Sequence, residues 1–593
     1  MVLHQYDYIF AIGTIFAFLD AYNIGANDVA NSWATSVASR SLSLLQAMIL
    51  AAIMEFAGAF GVGARVADTI KTKIVSPKQF ASSPAVLMLG MTCAVVGSAM
   101  WLTLCTRIGL PVSTTHSLMG GVIGMGIASV GTEGITWVAP PGTSGTAVVN
   151  TGVASVFAAW LIAPGLSALF ASILFMATKY GVMLRKNPVK MAFFMVPIYF
   201  AITAMLLIML LLWKGGAYEV RLSDEGVIGV IIGTGIGFGV LVSIFFLPWL
   251  WRVVVMDDWQ LKWFHIFQGP LLLRRGEVPP PPADFTGVIR NFYEGHLTRE
   301  ELDAKRANMA ANDVEANTNT SNEAKVMDAV LASDSSETNS NNNNATATTA
   351  TPNPPSSYKS IIGPKPEGLT WHSKAMLWYY FKLVIFHGVD KDIVTMQSQK
   401  KDMLAQDLEE AHARAAHFDN KAEFMYSFLQ ILTACTASFV HGANDVSNAI
   451  APYSTIYDIW QSGAIAGNQS EVPLWILAFG GVGIVLGLWT YGYQIMANLG
   501  NKLTLQSPSR GFSMELGSAA TIVLATRLKL PVSTTQCITG AVVGVGLCNG
   551  DWRALNWRMI AWIYMGWFLT LPIAGMISGC LMGIIMNAPR WGI

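Results

Sequence analysis

Charge is what this sequence has least of. Of 593 residues 12% are Asp, Glu, Lys or Arg, about half the share usual in soluble proteins, while 53% are hydrophobic and mean hydropathy is +0.45. A soluble multidomain enzyme is thereby nearly excluded. Neither sign is in excess, since 37 basic residues stand against 37 acidic ones, and nothing in the balance points to nucleic acid or another electrostatic partner. Cysteine is sparse too. Cys93, Cys105, Cys435, Cys537, Cys548 and Cys580 lie in apolar stretches without short paired spacings, which argues against a disulfide framework and against a zinc site. The opening residues, MVLHQYDY, lack the basic region and small-residue cleavage site of a secretory signal, so the first apolar segment is expected to stay as a transmembrane helix.

Long apolar runs are what the chain has in abundance. A bilayer core of about 30 Å takes roughly 20 apolar residues per helical crossing. Windows approaching that length are 8–23, 45–63, 85–105, 110–130, 148–177, 191–213, 227–250, 424–440, 472–499, 512–526, 530–547 and 559–586. Pro164 and Pro572 fall inside two of them, which read either as one tilted helix or as a broken pair. The expected fold class is an all-α polytopic membrane protein with about 10–12 transmembrane helices.

Residues 251–423 differ in kind. The chain turns charged after Trp251, passes Pro279 to Pro282, and runs through 339–351, which is almost all Asn, Ala, Thr and Ser. Such a composition cannot bury enough apolar surface to order itself. A helix is expected at 402–417 (DMLAQDLEEAHARAAH), with a disordered centre before it. Arg252, Lys262, Arg274, Arg275, Lys391, Lys400 and Lys401 flank this hydrophilic loop and favour the cytoplasmic side. Asn468-Gln469-Ser470, an N-glycosylation acceptor, would then face outside, with Asn319 and Asn344 unmodified. Arg65, Lys71, Lys73 and Lys78 fit that orientation poorly.

An internal repeat is the strongest signal. Gly25-Ala26-Asn27-Asp28-Val29-Ala30-Asn31 recurs 417 residues on as Gly442-Ala443-Asn444-Asp445-Val446-Ser447-Asn448. Thr106-Arg107-Ile108-Gly109-Leu110-Pro111-Val112-Ser113-Thr114-Thr115 recurs 420 residues on as Thr526-Arg527-Leu528-Lys529-Leu530-Pro531-Val532-Ser533-Thr534-Thr535. Two motifs in one order at nearly one offset mean a duplicated unit, and in an apolar chain that points to a transporter of two related halves, expected to be inverted. The domains read as a first membrane repeat over 1–180, additional transmembrane helices over 181–250, the hydrophilic, largely disordered cytoplasmic loop over 251–423, and a second membrane repeat over 424–593.

Ionisable residues inside apolar segments are costly and call for a reason. Around Asp28 and Asp445 the Gly and Asn neighbours suggest helices interrupted at Gly25 and Gly442, so that carbonyl, amide and carboxylate oxygens converge on a hard cation such as Na⁺. The bland alternative is a helix cap, or a pair with Arg65 or Arg107. Leu-Pro-Val-Ser-Thr-Thr reads as a helix start, with Pro in the first turn and hydroxyls beside free backbone N–H groups. Two such termini facing each other would surround a tetrahedral oxyanion; ordinary N-capping is the simpler reading. Gly120, Gly124 and Gly126, matched by Gly540, Gly544 and Gly546, would let the following helices pack closely. Glu55 and Glu515 also lie in apolar windows without being repeat mates, and would coordinate a cation, carry a proton or pair with an Arg such as Arg527. His116 has Gln536 as its counterpart, which rules out a symmetric titrating role, and His441 reads as a hydrogen-bonded helix-end residue rather than a metal ligand.

The paired GANDVAN and GANDVSN motifs, the paired LPVSTT segments and the long central loop resemble the inorganic phosphate transporter (PiT) family, most of all its fungal sodium–phosphate symporters. The resemblance covers roughly residues 1–250 and 424–590. It implies an inverted-repeat fold with helical hairpins carrying PVSTT, a homodimer in the lipid bilayer, and alternating access around a midplane site. It assigns Ser113, Thr114, Thr115, Ser533, Thr534 and Thr535, with Asn27 and Asn444, to phosphate. Asn27, Asp28, Asn444, Asp445, Glu55 and Glu515 go to the coupling cation, Na⁺. The implied activity is import of inorganic phosphate into the cell across the plasma membrane, with no cofactor besides the coupling ion. Coupling to H⁺, a phosphate-sensing receptor or channel, and an intramembrane aspartic protease using Asp28 and Asp445 as its dyad are the competing readings.

Overall fold

The computed structural model describes residues 2–63, 74–145, 148, 151–214, 222–282, 285, 287–311, 360–368, 370–399, 407–465, 472–528 and 530–588. In a bilayer the backbone has no water to bond, so apolar segments close their own hydrogen bonds as helices. Helix α1 (Asp7–Asn23) passes through one π-helical stretch (Ile24–Val29) into α2 (Ala30–Ala38). Then come α3 (Leu44–Val62), α4 (Pro84–Ile108), α5 (Thr114–Val130), α6 (Val153–Thr178), α7 (Pro188–Lys214), α8 (Asp224–Leu241) and α9 (Leu247–Val254). The hydrophilic segment contributes α10 (Lys374–Phe386), α11 (Ile393–Gln399) and α12 (Leu408–Ala413). The second block holds α13 (Asn420–Ser462), α14 (Leu474–Tyr491), α15 (Tyr493–Asn498), α16 (Pro508–Arg527), α17 (Thr534–Leu547) and α18 (Trp557–Asn587).

Every apolar window contains helix, and among the described residues nine helical stretches are long and apolar enough to cross a membrane. The exceptions are informative. Helices α5 and α17, of 17 and 14 residues, start at the PVSTT motifs, and α16 carries Arg510, Glu515 and Arg527. At about 1.5 Å per residue α17 is roughly 21 Å long, short of a full crossing. Pro164 and Pro572 break nothing: α6 and α18 are each one helix.

Packing between the halves is reciprocal. The first-half hairpin helix α5 lies against the last helix α18, and its mate α17 lies against α6; α3 packs on α13 as α14 packs on α1. Glycine makes the first of these exchanges possible. A Cβ on Gly124 would overlap the Gly575 backbone, and one on Gly544 the Ala168 backbone. The motif-bearing segments pass each other antiparallel. Asp7 accepts from Trp460 Nε1 at one end (2.8 Å), and Ser39 and Ser41 donate to Gln430 Oε1 at the other (2.7 and 2.6 Å).

One expectation is corrected. The helix is not interrupted at Gly442, because α13 runs unbroken through it, and at Gly25 the backbone only widens into the π-helical stretch. Both glycines instead permit contact, Gly25 against the Ile484 carbonyl and Gly442 against the Glu55 carbonyl. The flanks of the hydrophilic segment are folded onto the membrane helices. Tyr293 donates to Glu423 (2.8 Å), Arg414 pairs with Asp551 (2.6 Å), and Arg40, just past α2, pairs with Glu294 (2.7 Å). His412 Nε2 donates to the Asn501 carbonyl (2.6 Å), which leaves its Nδ1 to accept from His296 Nδ1 (3.1 Å). Of the helix expected at 402–417, α12 covers Leu408–Ala413 and 402–406 lie outside the described residues, as do 339–351, Arg65, Lys71, Lys73, Lys400, Lys401 and the acceptors Asn319, Asn344 and Asn468.

Candidate substrate and cation site at the hairpin tips

Each PVSTT motif folds as its sequence predicts, with Ser as the N-cap. Ser113 Oγ accepts from His116 N (3.2 Å) and Ser533 Oγ from Gln536 N (3.4 Å). The two threonines after each serine are thereby turned toward the protein centre, where the aspartates meet them. Thr114 Oγ1 donates to Asp28 Oδ2 (2.7 Å), and its mate Thr534 Oγ1 donates to Asp445 Oδ2 (2.6 Å). Across the halves, Asn31 Nδ2 donates to Thr535 Oγ1 (3.0 Å) and Asn448 Nδ2 to Thr115 Oγ1 (3.0 Å). Thr535 Oγ1 also donates to Asp28 Oδ1 (2.7 Å). All of these side chains are buried.

A carboxylate taken out of water has to be compensated by donors or by charge. Asp28 is compensated by hydroxyls. Asp445 accepts from Asn444 Nδ2 (2.7 Å) and lies 3.0 Å from His441 Nε2, while His441 Nδ1 is 2.8 Å from Glu55 Oε2. Ser438 Oγ completes Glu55 with a bond of 2.6 Å. His441 is therefore no helix-end residue. It stands inside α13 between two carboxylates, an arrangement that satisfies both when each ring nitrogen carries a proton. Ligand atoms of Asp28, His441 and Asp445 all lie within 4.8 Å of one another, so these residues present one cluster.

Glu515 is held apart from that cluster by four neutral donors. Thr35, Ser36 and Thr433 hydroxyls each lie at 2.7 Å and Gln430 Nε2 at 3.1 Å. Arg527, the partner considered from sequence, is not among them; the arginine stacks over Trp213 instead. Asn27 is placed differently from its mate Asn444. Its amide bonds the turn of its own hairpin, donating to Thr106 Oγ1 (3.2 Å) and the Leu110 carbonyl (3.0 Å) and accepting from Val112 N (3.0 Å). His116 and Gln536 occupy equivalent buried positions, His116 accepting from Trp160 Nε1 at 3.2 Å. Sequence reading passed over Thr35, Ser36, Gln430 and Thr433, because hydroxyls and amides scattered through apolar helices carry no motif.

A model of the phosphate transporter family matches residues 24–578. The chain belongs to this family. Over the full length of both chains it is 62% identical to the phosphate-repressible phosphate permease pho-4 of Neurospora crassa. It is 28% identical to sodium-dependent phosphate transporter 2 of Felis catus and of Homo sapiens, in each case over 99% of both chains. Among solved structures, one titled "The sodium-dependent phosphate transporter" superposes with a TM-score of 0.60 over 98% of this chain and 100% of that one, at 23% identity, which establishes the shared fold. Family members of this kind are integral multi-pass membrane transporters and not enzymes, which disposes of the aspartic-protease reading.

Proposed function

We propose that the protein imports inorganic phosphate by symport with Na⁺, alternating access around the Asp28–Asp445 centre. The observation that carries this is the meeting of two carboxylates with the hydroxyls of both hairpin tips in one buried cluster. Carboxylate, hydroxyl and amide oxygens are hard donors of the kind Na⁺ takes, by extension from the calcium and magnesium rules. Threonine hydroxyls and the first N–H groups of α5 and α17 are donors of the kind an oxyanion takes. In this reading Ser113, Thr114, Thr115, Ser533, Thr534 and Thr535 face phosphate, with Asn27 and Asn444 beside them. Asn27, Asp28, Asn444 and Asp445 serve the cation near phosphate, and Glu55 and Glu515 are the further carboxylates of the cation path.

The coupling has a physical motive. Phosphate enters against an inside-negative potential worth about 2.3 kcal/mol per unit charge per 100 mV, and co-bound Na⁺ neutralises the cargo. The antiparallel passage of the matched segments supports two inverted repeats over 1–180 and 424–593, with 181–250 as added helices and 251–423 on the cytoplasmic side. A homodimer in the plasma membrane completes the reading, checked by the mass of the solubilised particle. The decisive test is reconstitution into liposomes with radiolabelled phosphate. A Na⁺ gradient should drive uptake that a proton gradient alone does not; uptake driven equally by either overturns Na⁺ symport, and sugar on Asn344 overturns the orientation.

A further inference from the structure

Helix α1 presents a polar seam to α4. Gly13 sits against Thr92, Asn23 Nδ2 donates to Thr103 Oγ1 (2.9 Å) and the Ala99 carbonyl (3.3 Å), and Asn27 reaches Thr106 and Leu110. Asp20 belongs to the same helix face, three residues before Asn23 and seven before Asn27, about 10 Å along the axis from the latter. Unlike its neighbours it is unsatisfied. Its side chain is 0% exposed, and neither carboxyl oxygen has a well-aligned hydrogen bond among the described residues. Ser98 on α4 is the polar side chain beside it, near enough to act on the carboxyl; that hydroxyl is also fully buried and, among the described residues, makes no well-aligned hydrogen bond. Of the titratable groups on α1 and on the helices packed against it, α4, α13 and α14, Asp28 is the one whose charge reaches Asp20, and it repels.

We propose that Asp20, with Ser98, is a proton-binding site of the transport cycle, separate from the Asp28–Asp445 centre. An ionised carboxylate buried with one hydroxyl beside it and no counter-charge is the costliest form the group can take, and a proton removes the charge. Na⁺ fits less well, since it takes a cage of oxygens and Ser98 supplies one. A purely structural aspartate would be bonded as Asp28 and Glu515 are. Binding adds one proton from water to a carboxylate oxygen, and the new O–H can donate to Ser98 Oγ. Release breaks that O–H bond and returns the proton to water, with no change of oxidation state. That release occurs as the halves exchange access is the one respect in which the proposal rests on the transport reading.

Two measurements test it. In Na⁺-free medium at neutral pH, the infrared spectrum of the purified protein minus that of Asp20→Asn should contain a protonated-carboxyl C=O band that shifts in heavy water. No such band overturns the proposal, whether or not the protein transports. In liposomes, the pH profile of Na⁺-driven phosphate uptake should contain an ionisation that Asp20→Asn lacks and Asp20→Glu retains; identical profiles overturn a role in the cycle. Should wild-type vesicles take up no phosphate, the transport reading fails and the cycle role falls with it, while the infrared result still decides protonation. If Asp20→Asn does not insert, Asp20→Glu and Ser98→Ala must each move the band, because each changes what lies beside that carboxyl. A band unmoved by both overturns the proposal.

Discussion

At the centre, Thr114 on Asp28 is repeated by Thr534 on Asp445, and Asn31 on Thr535 by Asn448 on Thr115. One turn away the correspondence ends. His441, between Glu55 and Asp445, stands where the first half has Ile24; Glu515 stands where it has Val95; and Gln536 replaces His116. The duplicated parts are threonine hydroxyls, asparagine amides and one aspartate in each half. Beyond that pair the charged groups, Glu55, His441 and Glu515, have no copy in the other half, since a second set would load the interior with charge that nothing nearby compensates.

Breaking the unmatched part should have the largest effect. His441→Ala leaves Glu55 and Asp445 without their shared partner, a change expected to cost about 3–5 kcal/mol. Ile24→Val at the equivalent place should cost roughly 1 kcal/mol. Thermal stability of the purified variants, read by size-exclusion chromatography after heating, checks the ordering. Next come the charges of the matched part. Asp28→Asn and Asp445→Asn keep shape and remove a charge, so the Na⁺ concentration for half-maximal uptake should rise at least ~10-fold, a shift of about 1.4 kcal/mol. Asp445→Asn should be the worse of the two because it also unpairs His441.

The hydroxyls sharpen the comparison further. Thr535 serves both Asp28 and Asn31, whereas Thr115 serves Asn448. Thr535→Val should therefore raise the phosphate KM about tenfold, in line with roughly 1–3 kcal/mol for an unpaired buried group, and Thr115→Val by less. Equal and unchanged KM values would reduce both motifs to helix caps. A smaller effect belongs to the folded flanks of the hydrophilic segment. Burial pushes His296 down to about 3 and His412 to about 4, from an ordinary 6.5. An opened segment would bind protons that the closed one excludes, so closure is fully favoured above 6.5 and weakens as pH falls toward 4. Protection factors for hydrogen exchange at 290–296 and 408–417, that is, rates corrected for the slower intrinsic exchange at lower pH, should fall between pH 7 and pH 5, and His296→Gln should blunt the fall. Deleting 317–357 should change least of all, leaving uptake per inserted molecule as it was.

The helices and the duplicated site were legible because apolar length and repeated motifs are local signals. Ser113 and Ser533 cap their helices as Pro-Val-Ser-Thr-Thr predicts, and Asp28 and Asp445 do converge with the threonines. What the sequence hid is who faces whom. Nothing local tells that Glu515 gathers Thr35, Ser36, Gln430 and Thr433, or that His441 faces Glu55, since these contacts depend on how distant helices cross. Asp20 was invisible for the opposite reason: a lone acid five residues before a motif looks like a helix residue until its carboxyl oxygens prove buried and unbonded among the described residues. The flanks at 287–311 and 407–419 were masked by the composition of the segment between them.

The exchange of partners between hairpins and distant helices also sets an order of events during synthesis. Helices α4 and α5 are complete by Val130, yet the helix that covers α5 begins only at Trp557. At about 5–20 residues per second a ribosome needs on the order of 20–90 s to bridge that gap. Through that interval the glycine-lined face of α5 lies in the membrane without its partner, so the first half cannot reach its final packing until the last helix has been made.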